Sequence, residues 1–244
     1  MNNIIDKINR TRKTLQEILS YEWDTEQMPD LSNQEIERLY SLINHDSIGY
    51  AGGCNFSVSH KKIPSYKLHV IYFNFPEIGR LNSKITRTAV DKIYSLYETK
   101  IVNKEDSLFI IVNDNVSETL NKSFQQLNIR LQASLNETSL SPTIIKEMKE
   151  NDHILENRHF SNIHIFNINS LTNNFTKHVL VKPHIPIRKK EDIGKILDLC
   201  RCNFDQLPVI GSGDPQAKLN RIVGGDICKI IRGGNIVYRA CHDL

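Results

Sequence analysis

Residues 206–219 read QLPVIGSGDPQAKL, with prolines at 208 and 215 and glycines at 211 and 213. Either Gly211-Ser212-Gly213 cradles a phosphate, or the stretch turns the chain and starts a helix. A Walker-type loop needs Gly, four residues, then Gly-Lys-Ser/Thr, so that backbone amides and a lysine surround the anion. Here the glycines are followed by Asp-Pro, and Asp214 would set a carboxylate at the helix N-terminus where a phosphate would sit. Pro215 suits the first helical position, because its missing N–H would have no partner there and its φ is already helical. Asp214 is therefore read as the cap, Pro215 as the start, and QAKLN as the continuation.

The flanks extend this pattern. Downstream, Gly224-Gly225 turn the chain into ICKIIR (227–232), and IVYRA (236–240) follows after Gly233-Gly234-Asn235. Glycines at that point allow the positive φ angles of a tight hairpin. Alternation along the first run separates Ile227, Lys229 and Ile231 from Cys228, Ile230 and Arg232, so Lys229 and Arg232 fall on opposite faces. Upstream, Ile193, Ile196, Leu197 and Cys200 mark a short helix. It is preceded by HVLVKPHIPIRKK (178–190), whose prolines within β-branched residues favour extended chain. That segment marks a boundary between residues 1–175 and a compact α+β module at 176–244.

The first part opens with two helices. Asn2 or Asn3 can cap Ile4, Ile5, Ile8, Leu15, Ile18 and Leu19, and Ser32-Asn33-Gln34-Glu35 is a capping box leading into Ile36, Leu39, Tyr40 and Ile43. Strand and helix patterns then alternate. NFSVSH and YKLHVIYFNF read as half-buried strands, and SKITRTAVDKIYSLYETK as a helix. SLFIIVND reads as a strand covered on both faces, SETLNKSFQQLNIRLQ as a helix and NIHIFNI as a strand. This implies a small mixed α/β sheet. Residues 132–160 are the least regular part and are expected to form a surface excursion, with a helix near 143–151. The fold class expected for the chain is α+β: N-terminal helices and a small mixed sheet, followed by the compact C-terminal module.

At 244 residues, with 39% apolar and 24% charged side chains, the chain has the composition of a globular protein. No run of about 18 apolar residues is present, so no spanning helix and no membrane partner are expected. The N-terminus lacks the apolar core of a signal peptide, and five cysteines without a regular framework suit a reducing compartment; an intracellular location is expected. The net charge of +3 is unevenly spread. Residues 176–244 carry 12 Lys+Arg against 7 Asp+Glu, whereas residues 1–175 carry 19 against 21.

The segment LPVIGSGDPQAKLNRIVGGDICKIIR resembles the C-terminal signature of the fifth-largest subunit shared by the eukaryotic nuclear RNA polymerases, and of its small archaeal RNA polymerase counterpart. The resemblance is carried by Leu207, Pro208 and Ile210, then Asp214, Pro215 and Ala217. Gly225 precedes an acidic residue, Lys229-Ile-Ile-Arg232 follows, and Tyr238-Arg239 close the pattern. Upstream, His178-Val-Leu-Val with Pro183-His184 looks like the entry into the same module. Residues 1–175 are similar in organisation only, to the jaw domain of the eukaryotic subunit. So divergent an N-terminal half is the kind found in members from large DNA viruses. The short turn at Gly233-Gly234-Asn235 departs from the nuclear members.

The resemblance implies a non-catalytic polymerase subunit. Its C-terminal module would pack on the largest subunit and touch other subunits, and its jaw would lie beside downstream DNA, weakly and without sequence preference. It implies no cofactor, and a place in virion and host cytoplasm if the source is viral, or in the nucleus if cellular. Arg232 and Arg239 are candidates either for the partner subunit or for a carboxylate within the module. Cys200, Cys202, Cys228 and Cys241, with His178, His184 and His242, lack Cys-x-x-Cys knuckles and are read as free thiols and scattered imidazoles rather than a zinc site. Lys7, Arg10, Arg12 and Lys13 on the first helix are interrupted by Asp6 and Glu17 and read as a solvated face. Two rival functions remain open. One is a nuclease using Glu77, Asp106 and Asp114, which lacks the expected acidic-x-Lys element; the other is a free-standing regulatory or scaffold protein that docks on a polymerase.

Overall fold

The structure is a computed structural model that describes residues 2–42, 49–80, 84–86 and 88–243. The chain divides into two compact units: Met1–His153 with Phe160–Asn174, and Ile154–His159 with Phe175–Leu244. Among the described residues, no helix is long and apolar enough to cross a membrane.

The first unit begins with α1 (Asn2–Leu19) and α2 (Asn33–Tyr40). Ser32 and Glu35 form the reciprocal capping box, and Ile36 and Tyr40 are buried. Ile43 and the side chains of Asn2 and Asn3 lie outside the described residues. A four-stranded sheet follows, built from β1 (Phe56–Ser59), β2 (Lys67–Tyr72), β3 (Ser107–Val112) and β4 (Ile163–Asn167) in that spatial order. β1 runs antiparallel to β2, whereas β2, β3 and β4 are parallel. Parallel neighbours need crossovers. Here these are α3 (Thr88–Glu98), and α4 (Glu118–Thr138) with α5 (Pro142–Glu150).

Strand β3 is buried at all six positions, as a continuous apolar run requires when both faces are covered. Leu108, Ile110 and Val112 pack with Ile93 and Leu96 of α3 and with Phe124 and Leu127 of α4. Phe109, on the other face, meets Phe166 edge-on at 5.0 Å.

Two sequence expectations need correction here. The third helix begins at Thr88, not at the start of SKITRT, because Lys84–Thr86 have no regular structure. Residues 132–160 are not a surface excursion: α4 continues to Thr138, and Leu135, Ile144, Met148, Leu155 and Phe160 are buried. Leu135 continues the helical spacing of α4, and Ile144 and Met148 form the buried side of α5.

The second unit carries β5 (His184–Ile187), α6 (Lys190–Cys200), β6 (Val209–Gly211), α7 (Pro215–Leu219), β7 (Ile227–Arg232) and β8 (Asn235–His242). Its sheet has the order β5-β7-β8-β6, with β6 parallel to β8 and the other pairs antiparallel. On one face Cys228, Ile230 and Cys241 pack with Ala217 of α7 and with Ile222. On the other, Ile227 and Ala240 pack with Ile196 of α6 and with Leu207. Gly233 (φ 53°) and Gly234 (φ 87°) form the two-residue turn that closes β7 onto β8. Two successive positive φ angles are what a type I′ hairpin demands, and glycine meets them without strain.

Candidate functional site

The loop at 211–214 is no anion cradle, because the chain itself uses its amides. The Asp214 carboxylate accepts from Gln216 N at 2.8 Å and Ala217 N at 3.3 Å, and Pro215 opens α7. Ser212 N donates to the His242 carbonyl, and Asp214 N to that of Gly211. The stretch is a turn and a cap.

The other residues of the matched pattern are distributed as an architecture. Leu207, Ile210 and Ala217 are buried. Pro208 is exposed, and its carbonyl accepts from Ala240 N. Lys229 and Tyr238 face each other across β7 and β8 on the face that α6 shares, and both are half-buried. Arg239 donates to the Val209 carbonyl on β6 at 3.1 Å, while Arg232 is exposed at the hairpin. His178 and Pro183 are exposed, and His184 Nδ1 donates to the Lys182 carbonyl at 2.7 Å.

HVLV is not extended, as its β-branched content suggests, but forms a turn in which Val181 N donates to the His178 carbonyl at 2.8 Å. The strand starts only at His184, where pairing with Ile230 begins.

The centre of the unit is Asp226, a fully buried carboxylate. Burying that charge is tolerable only if it is paired and hydrogen-bonded. His159 Nε2 donates to Oδ1 at 2.9 Å, and Arg158 Nη2 approaches the same oxygen at 3.4 Å. Val223 N donates to Oδ2 at 3.2 Å, with Arg188 Nε 3.9 Å away. Arg158 also donates to the Gly224 carbonyl at 2.8 Å, and Arg221 to the His159 carbonyl at 2.8 Å.

Gly225 makes this possible. Its φ of +89° suits glycine, and a Cβ there would lie 1.6 Å from Arg158 Nη1. The segment 154–159 is thereby clamped into the C-terminal unit by partners up to 67 residues away in sequence. Sequence reasoning missed Arg158 and His159 altogether; the acidic residue after Gly225 was the sole hint, and it named no partner.

The cysteines and histidines weighed for zinc stay apart in character. Cys228 and Cys241 are buried, Cys200 is exposed, and Cys202 is half-buried. Burial pushes the Cys228 and Cys241 thiols up to about 12, which keeps them protonated. Cys241 Sγ donates to the Ile222 carbonyl, and His242 lies against the Phe204 ring.

Among the described residues, the cluster with ligand spacing is Glu22, His60 and His153 in the first unit. His60 Nδ1 accepts from the backbone N–H of Lys62 and of Ile63, both at 3.1 Å. Its proton therefore sits on Nε2 and is donated to Glu22 Oε1 at 3.3 Å. A metal at Nε2 would need the lone pair that this tautomer lacks. Packed between Trp23 and Tyr66, His60 is a neutral donor in the core.

The nuclease constellation is not assembled either. Asp106 precedes β3 and Asp114 follows it, so roughly 20 Å of strand separates them. Asp106 is saturated by Lys67 N, Asn103 and His69, Asp114 accepts from Ile85 N, and Glu77 pairs with Arg80. Three of the four basic residues named on α1 are committed within the unit. Arg12 is buried, donates to the Cys54 carbonyl at 2.8 Å and lies over Phe56; Arg10 pairs with Asp6, and Lys13 with Asp30. A solvated cationic face was the expectation, and for Arg12 it is corrected by packing.

Residues 173–241 match the family model described as RNA polymerase Rpb5, C-terminal domain. This segment covers nearly all of Phe175–Leu244, so the matched region and the main body of the second unit coincide.

Proposed function

We propose that this chain, an Rpb5-like RNA polymerase subunit, is a non-catalytic component of a multisubunit DNA-directed enzyme. Its second unit would dock on the largest subunit, and its first unit would act as a jaw beside downstream DNA. The observation that carries the reading is the coincidence of the family match with a unit whose side chains are spent on architecture. Asp214, Gly225 and Asp226 cap, turn and clamp, and none is placed to transfer a group. Association with other polymerase subunits follows from the family.

The electrostatics bear on the DNA role. Residues 1–175 hold fewer cations than anions, and three of the four cations named on α1 are neutralised or buried. Affinity for a duplex rises with the number of phosphates neutralised, so proximity to DNA would be weak and sequence-independent, felt within the assembly.

The test is to tag the chain in its native source and determine what co-purifies. A subunit brings the catalytic polymerase chains at one copy each through a high-salt wash. Substoichiometric or salt-labile recovery would instead favour a regulator, and absence of polymerase chains would overturn the reading.

A further inference from the structure

The five cysteines divide into three committed to the core and two that are not. Cys54 Sγ donates to the Ile36 carbonyl, Cys241 Sγ to that of Ile222, and Cys228 is buried in the cluster that includes Ala217. Burial holds all three thiols at about 12, so none is a nucleophile at neutral pH. Cys200 is exposed and Cys202 half-buried, and both stand at the end of α6 with one residue between them.

The backbone there brings the two together. α6 ends in a Schellman turn, in which Arg201 N donates to the Asp198 carbonyl at 3.1 Å and Cys202 N to the Leu197 carbonyl at 3.2 Å. Arg201 takes the left-handed conformation, with φ 50° and ψ 45°. An extended residue at this point would throw its neighbours apart. The compact one keeps the Cα atoms of 200 and 202 within the roughly 4.4–6.8 Å that a disulfide spans. The turn folds Cys202 back onto the cluster of Ile196 and Leu207. The exposed Cys200 thiol is a side-chain hydrogen-bond partner of the Cys202 thiol, so the two sulfurs converge. Burial, and then this neighbour, push the Cys202 thiol above its ordinary value.

We infer that Cys200 and Cys202 are a reversible dithiol–disulfide pair, oxidised by low-molecular-weight disulfides of the glutathione class. Exposure divides the roles. The Cys200 thiolate attacks one sulfur of the reagent, whose S–S bond breaks, and one reagent thiolate leaves. The Cys202 thiolate then attacks Cys200 Sγ, the mixed disulfide breaks, and the second reagent thiolate leaves. Two protein thiols have lost two electrons and two protons, and one disulfide has become two thiols. Because the Cys202 thiol is raised, the second step quickens as pH rises. Closing the bond locks the end of α6 to the loop that leads into β6, and opening it needs only excess thiol. The chemistry requires neither polymerase nor nucleic acid, so it stands apart from the subunit reading.

The experiment incubates the full-length wild-type chain, C200S and C202S with glutathione disulfide, traps free thiols by alkylation, and locates each bond by peptide mass. Circular dichroism of both variants should match wild type, since neither position is fully buried. Wild type is expected to lose two thiols together and form the 200–202 disulfide, while the three buried thiols stay reduced. C202S has no resolving thiol and should accumulate the mixed disulfide on Cys200 at least roughly ten-fold above wild type, because attack within one turn outpaces attack from solution. Dithiothreitol should return both to the thiol form. Phenylarsine oxide, which bridges two adjacent thiols, should survive a monothiol wash on wild type and be lost from either variant. A wild-type chain that stays reduced, or keeps the mixed disulfide as long as C202S does, would overturn the inference. A bond to any other cysteine, or between two chains, would overturn it as well. Should a variant fail to fold, peptide mapping and arsenical retention on the wild-type chain still decide the matter, and loss of the arsenical from wild type would sink the pair.

Discussion

At the scale of single residues, Gly225 and Asp226 carry the strongest constraints. Gly225→Ala asks a side chain to adopt φ +89° and to occupy the space of an anchored guanidinium. The two costs separate in a double-mutant cycle. Gly225→Ala alone should cost about 3 kcal/mol, of which only the backbone share, about 1–2 kcal/mol, should remain when Arg158→Ala has cleared the space. Equal costs in both backgrounds, measured by urea unfolding, would show that Arg158 yields freely.

Thiol titration is a second residue-scale consequence. Burial holds Cys54, Cys228 and Cys241 at about 12, whereas the unfolded thiols ionise near the ordinary value of 9. The unfolded chain then binds fewer protons than the folded one, so stability is complete below pH 9 and declines from there towards pH 12. The slope approaches about 1.4 kcal/mol per pH unit for each thiol. Urea midpoints that stay level between pH 8 and 10.5 would contradict this.

At the scale of elements, α7 is a five-residue helix whose start is set by one carboxylate. Asp214→Ala should destabilise the second unit by about 1 kcal/mol, the worth of an N-cap, whereas Asp214→Asn should cost only a few tenths. Both variants should leave the urea slope unchanged, and an alanine variant as stable as wild type would remove the cap from the account. This element was legible because cap, first-turn proline and turn glycines act within five residues of one another. The same holds for the capping box at Ser32, for the apolar run of β3 and for the glycine hairpin. HVLV was misread for the opposite reason. Its composition favours extended chain, but the turn is fixed by the His178 ring and the Lys182 head, side-chain bonds that no periodicity records. The end of α4 was equally hidden, since Leu131 and Leu135 keep its period while the polar residues between them dilute it.

At the scale of the whole molecule, the chain does not divide at one cut. It leaves the first unit after His153, lends Ile154–His159 to the second, and returns at Phe160 before entering the second unit again at Phe175. The loan has an electrostatic reason: Asp226 is fully buried, and two of the groups around it, His159 and Arg158, come from the lent segment. A fragment starting at Phe175 contains every residue of the second sheet and both of its helices, yet leaves Asp226 with the Val223 amide and a more distant Arg188. Removing one side of a buried charge pair typically costs 3–5 kcal/mol, a large part of the stability of so small a unit. Fragment 175–244 should therefore unfold at markedly lower urea than the same unit within the full chain. Arg158→Ala/His159→Ala in the full chain should reproduce most of that loss, and Asp226→Asn should restore part of it by removing the stranded charge. A fragment as stable as the intact unit, followed by amide exchange of β7 and β8, would mean that the lent segment decorates the fold rather than completing it.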